Sequence, residues 1–75
     1  MEILVKLFSN FALHHSPSKF SLEIGEGMSV KDVCRNLKIP DDLPRLNLVN
    51  GRVVTDQTLL KDGDTLSLFS PVAGG

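Results

Sequence analysis

The chain reads as an α+β domain, with one short helix covering one face of a single sheet. Three features carry that reading: apolar–polar alternation near both ends, an amphipathic stretch with a capping serine in the middle, and an Asn-Gly turn between two short apolar runs.

The first strand is expected over Glu2 to Phe8. Ile3, Val5 and Leu7 share one face; Glu2, Leu4, Lys6 and Phe8 share the other. A period of two with β-branched residues is the pattern of a strand covered on one side. Asn10 to Ser18, with His14, His15, Ser16 and Pro17, carries turn chemistry. Phe20, Leu22 and Ile24 then alternate with Lys19, Ser21 and Glu23, which suggests a second strand returning antiparallel to the first.

Gly25-Glu26-Gly27 interrupts the alternation. Ser29 is a good helix N-cap, and Asp32 follows it near the positive end of the helix dipole. Val30, Val33, Cys34 and Leu37 form one apolar stripe at helical spacing. Pro40 disfavours helical geometry at Ile39, so the helix should end near Lys38. A helix this short is marginal alone and needs the sheet to cover its apolar stripe.

Asp41 to Pro44 reads as a linker, and Leu46 to Val49 as a short strand. Asn50-Gly51 is a strong hairpin signal, because both residues tolerate positive φ. Arg52-Val53-Val54 should return. In the connection from Thr55 to Asp64, Leu59 and Leu60 are both expected against the core, and Asp62-Gly63 is expected to turn. The last strand is Thr65 to Ser70, with Leu66 and Leu68 on one face and Ser67 and Phe69 on the other; Pro71 stops it. The most natural place for this strand is beside the first, in the middle of the sheet.

Composition narrows the function. At 75 residues the chain forms one small domain, and 41% hydrophobic content is that of a folded protein. Eight basic residues against nine acidic ones leave a net charge of −1, so no electrostatic footprint for nucleic acid or an anionic membrane exists. A single cysteine excludes an internal disulfide framework and any cysteine-cluster zinc or iron–sulfur site. No apolar run is long enough to span a bilayer, and Met1 to Lys6 lacks the form of a signal peptide, so the expectation is a soluble, cytoplasmic protein. No Ser-His-Asp or Cys-His-Asp set, phosphate-binding glycine loop or paired carboxylate suggests an independent enzyme.

The opening strand, the single helix and a final strand running into Gly74-Gly75 resemble the β-grasp fold of ubiquitin-like proteins, with a mixed four- to five-stranded sheet on one helix. The stretch from Asp62-Gly63-Asp64-Thr65 through Pro71-Val72-Ala73-Gly74-Gly75 resembles more narrowly the sulfur carriers of the MoaD/ThiS family. These are the small subunit of molybdopterin synthase and the carrier for thiamin thiazole synthesis. The resemblance implies a domain over residues 1–70 and a flexible tail over 71–75. It implies that an E1-like activating enzyme adenylates the Gly75 carboxylate with ATP, that sulfur then replaces oxygen to give a thiocarboxylate, and that Gly74 fits the same narrow channel. The partners implied are that activating enzyme and a sulfur-acceptor enzyme similar to the molybdopterin synthase large subunit or to thiazole synthase. The ending favours the molybdopterin branch. The chain itself is expected to bind no cofactor.

The residues suit this chemistry. A carboxylate is a poor electrophile until it is joined to a good leaving group, and the carrier needs no catalytic side chain for that. It needs reach: Pro71, Val72, Ala73, Gly74 and Gly75 extended span at most about 16–18 Å. Glycine lets the backbone pass close to a partner's walls. Phe69 falls out of phase with the core-facing leucines, on the face that also carries Leu4 and Phe8, so these three form a candidate docking patch. Scattered exposed apolar residues are the plain alternative.

Other candidates read as structural. Cys34 lies on the apolar stripe and is expected to be a buried small hydrophobe rather than a sulfur carrier. His14 and His15 are neighbours with no further ligands nearby, which favours a solvated turn over a metal site. Lys6, Arg45 and Arg52 are expected on solvated faces. Besides the two sulfur-carrier branches, the sequence leaves open a ubiquitin-like modifier forming amide bonds to lysines, and a β-grasp module that binds without covalent chemistry.

Overall fold

The computed structural model describes residues 1–8 and 18–69. The turn expected at Asn10 to Ser18, including His14 and His15, falls outside these residues except for Ser18. The tail from Pro71 to Gly75 and the domain boundary at residue 70 also fall outside them.

Five strands, β1 (Glu2–Phe8), β2 (Lys19–Glu23), β3 (Leu46–Val49), β4 (Arg52–Val54) and β5 (Thr65–Phe69), form one sheet in the order β2-β1-β5-β3-β4. The sheet is mixed: β5 runs parallel to β1, and all other neighbours are antiparallel. The last strand therefore sits in the middle, beside the first. The one helix among the described residues, α1 (Val30–Asn36), covers one face.

Sequence alternation becomes burial. Ile3, Val5 and Leu7 of β1 and Leu66 and Leu68 of β5 are buried under Val30, Val33, Cys34 and Leu37 of the helix segment, with Ile24, Ile39 and Leu60 closing the core. Leu59 departs from expectation. It is 60% exposed, whereas Leu60 is buried and its N–H donates to the Met28 carbonyl at 2.9 Å. Neighbouring side chains on extended backbone point to opposite sides, so only one of the two can enter the core.

Local chemistry sets the element ends. The Ser29 hydroxyl accepts from the Asp32 N–H at 3.2 Å, and Asp32 Oδ2 accepts from the Ser29 N–H at 3.0 Å, a reciprocal capping box. The helix stops at Asn36, short of Lys38. Lys38 turns to φ 65°, its N–H donates to the Arg35 carbonyl at 3.0 Å, and the Ile39 N–H donates to the Cys34 carbonyl at 2.9 Å. This is a Schellman closure with lysine where glycine is usual. Asn50 and Gly51 both have positive φ, 52° and 84°, as a two-residue hairpin turn requires.

The turn at Asp62-Gly63 holds the start of β1. The Glu2 N–H donates to Asp62 Oδ1, and the Gly63 N–H donates to the Glu2 carbonyl, each at 2.8 Å. Asn50 ties the hairpin to β5: its Oδ1 accepts from the Thr65 N–H and its Nδ2 donates to Asp64 Oδ1, both at 2.9 Å. Central β5 is thus clamped at its N-terminal end. Its C-terminal end, at Phe69, leads into the tail.

Candidate functional site

The helix occupies one face of the sheet; the register defines the other. On that open face Phe8 of β1 lies opposite Phe69 of β5, and Phe69 lies opposite Leu46 of β3. The two phenylalanine rings stack with centroids 4.4 Å apart and planes 6° from parallel. Phe8 is 38% exposed and Leu46 41%. The next row holds Val53, Leu48, Ser67 and Lys6, with Val53 67% exposed. An apolar surface therefore runs across β1, β5, β3 and β4 at the end of the sheet where β5 finishes.

Of the three residues expected in a docking patch, the fold brings Phe8 and Phe69 together. Leu4 shares their face but lies opposite Thr65 and Ser21, four residues from Phe8 with Lys6 between them. That is about 13 Å along the strand. In its place the patch gains Leu46, Leu48 and Val53. Sequence reasoning missed these, although the shared parity of Leu46 and Leu48 was a signal. Which face that parity meets depends on Asn47, which is buried between them at 5% exposure.

Asn47 belongs to a polar cluster under the helix. Its Nδ2 donates to Asp56 Oδ1 at 2.7 Å, and the Arg45 guanidinium reaches the same oxygen at 2.9 Å. The Arg45 side chain is only 4% exposed, which corrects the expectation of a solvated arginine. Arg45, just before β3, meets Asp56 of the loop after β4, so the guanidinium is enclosed against the carboxylate that neutralises it. Lys6 is half-buried and Arg52 exposed.

Cys34 is fully buried, and burial pushes its thiol pKa above the ordinary value, with partial relief from the nearby Arg45. A buried protonated thiol is a poor nucleophile. Lys6 and Lys19 border a shallow depression of about 290 Å³ beside Phe8, which gives the apolar patch a basic rim. Among the described residues no His, Cys, Asp or Glu cluster is arranged to hold a metal ion, and no helix is long and apolar enough to cross a membrane.

The ThiS family model matches residues 5–75, nearly the whole chain and through its final glycines. The chain belongs to the ThiS family. This is a family of ubiquitin-like sulfur carriers, whose small members act as carriers or subunits rather than as catalysts. A comparison with curated protein sequences returned no match.

Solved structures agree on the fold. A candidate molybdopterin converting factor subunit 1 from Pyrococcus furiosus is 27% identical over 96% of this chain and 99% of its own, with a TM-score of 0.79. In a Helicobacter pylori complex of subunits 1 and 2 of molybdopterin-converting factor, the matching chain is 25% identical, with full coverage of both and a TM-score of 0.66. Small archaeal modifier protein 1 from Haloferax volcanii superposes with a TM-score of 0.81 over the full length of both chains at 24% identity, a likeness of fold alone.

Proposed function

We propose that this chain is a sulfur carrier that acts through the carboxylate of Gly75, within molybdopterin biosynthesis. The observation that carries the reading is the family match extending through Gly74-Gly75. The Gly75 carboxylate oxygen attacks the α-phosphorus of ATP on an E1-like activating enzyme and expels pyrophosphate. A sulfide-level nucleophile then attacks the acyl-adenylate carbonyl, AMP departs, and a thiocarboxylate remains. The thiocarboxylate sulfur attacks the substrate held by an acceptor enzyme to give a thioester; water then cleaves the acyl C–S bond, which leaves the sulfur on that substrate and regenerates the carboxylate. Nothing in this cycle requires a catalytic side chain from the carrier.

The chain's own contribution is delivery. Phe8, Phe69 and Leu46 dock on the activating enzyme, and the tail, beginning two residues past Phe69 at Pro71, threads into its site. The likeness to a converting factor subunit 1 favours a second-subunit acceptor of molybdopterin type. Thiamin thiazole synthesis follows the same carrier chemistry. The same activated glycine also suits a second reading, amide transfer to lysines.

Intact mass of the protein from its native cell tests the proposal. The expected result is a fraction in which one terminal oxygen is replaced by sulfur. Recovery only as conjugates through Gly75 to lysines would replace the carrier with the modifier. Full activity of a chain lacking Gly75 would overturn both.

A further inference from the structure

The sheet has two outer strands, β2 and β4. Among the described residues nothing pairs with the outer edge of β2. The Leu7 N–H donates to the Ser18 carbonyl and the Ile24 N–H to the Met1 carbonyl, each at 2.7 Å. Residues 18 and 24 thus turn their backbone polar groups toward β1, and by alternation Phe20 and Leu22 do the same. Lys19, Ser21 and Glu23 turn theirs outward. An edge of this kind is a template for another strand.

The side chains say which strand. Within the sheet Lys19 lies opposite Lys6, and Glu23 lies opposite Glu2. Like charges directly opposite one another destabilise a sheet. At 3.3 Å the Met1 amino group offers Glu23 a counter-charge, but that carboxylate is 77% exposed. β2 therefore carries a positive and a negative end, each beside its own sign.

We propose that the outer edge of β2 pairs antiparallel with β2 of a second copy, centred on Ser21. This register sets Lys19 opposite the partner's Glu23 at both ends, and Ser21 opposite the partner's Ser21 on the two-fold axis. All three pairs fall where both backbones point at each other, so each exchanges two hydrogen bonds. On the helix face Phe20, half-buried in one copy, meets the partner's Leu22. A shift by two residues leaves charges unmatched, and a shift by one turns the wrong faces together. Across the joined sheet the charges run Lys6, Lys19, the partner's Glu23, the partner's Glu2, so the misplaced charges of each copy meet their opposites. β2 lies beyond β1 from β5, so Phe8, Phe69 and Leu46 stay open.

A five-residue strand pair buries far less than the roughly 1,200 Å² of a stable interface. The dimer is accordingly weak, with a dissociation constant on the order of 0.1–1 mM, and salt-sensitive. Sedimentation equilibrium of the full chain up to about 2 mM at low salt tests it. The wild type should show concentration-dependent dimers. Lys19→Glu faces the partner's Glu23 with a like charge and should weaken association at least about tenfold. The same change places Glu opposite Lys6 in its own sheet, so its Tm should not fall. Lys19→Glu combined with Glu23→Lys should restore association to within about threefold, because opposite signs meet again. A wild type that stays monomeric throughout overturns the proposal. So does a double variant no better than the single, or association indifferent to Lys19→Glu.

Discussion

Phe69 links the core to the exposed surface. Its neighbour Leu68 is fully buried, while its own ring stacks on Phe8 across the open face. Phe69→Ala removes a stack that contributes about 0.5–1.5 kcal/mol and leaves the helix-facing leucines untouched. The fold should persist while affinity for the proposed activating enzyme falls at least about tenfold in a titration. Unchanged affinity would move the docking surface elsewhere. Cys34 gives a second residue-scale expectation. Its folded pKa is raised, so the stability it contributes is fully present below pH 9.0, the ordinary thiol value, and is lost as pH rises beyond it. A thiol reagent should label Cys34 slowly in the native protein and rapidly in denaturant; fast native labelling would contradict its burial. The apolar stripe already revealed this cysteine's burial. It could not reveal the Arg45 pairing with Asp56, because the two meet only when separate loops close together.

The helix shows how local chemistry sets the limits of an element. Ser29 and Asp32 start it through reciprocal bonds, and both were legible as a start signal. Hydrogen bonds from Ser29 hold the Asp32 carboxyl below its usual pKa. A depressed acid contributes stability above its unfolded pKa and loses it as pH falls through the folded one. The Arg35 guanidinium, 2.9 Å from Asp41, lowers that carboxyl in the same direction. Thermal stability should therefore fall below pH 3.8, the ordinary value of both acids, and Asp32→Asn should flatten that fall. At the other end Pro40 marks a stop near Lys38; the last helical residue is Asn36, and the chain reverses at Lys38 with φ 65°. A left-handed non-glycine residue costs about 1–2 kcal/mol, and glycine's looser unfolded state returns about 0.4–1 of that. Lys38→Gly should thus stabilise the domain by about 0.5–1 kcal/mol, or a few degrees in Tm. A lower Tm would mean that the lysine side chain holds the closure.

At the scale of the molecule, the body and the chemistry are separable. Among the described residues the core closes before Phe69, so deleting Gly74 and Gly75 should leave the unfolding midpoint unchanged while abolishing the adenylation proposed above. A large loss of stability would show that the tail serves the fold. Alternation, the capping serine, the Asn-Gly turn and the final glycines were enough to establish the number of described elements, the inner faces of β1, β2, α1 and β5, and the family. These are local properties, decided by backbone geometry and solvent over a few neighbouring residues. Only the tertiary structure decided the register. It set Leu46 and Val53 in the Phe8–Phe69 surface, left Leu4 some distance down the strand, turned Leu59 outward, and placed like charges opposite each other along β2. Pairing between strands distant in sequence depends on the packing of the whole sheet, and no short window of residues contains it.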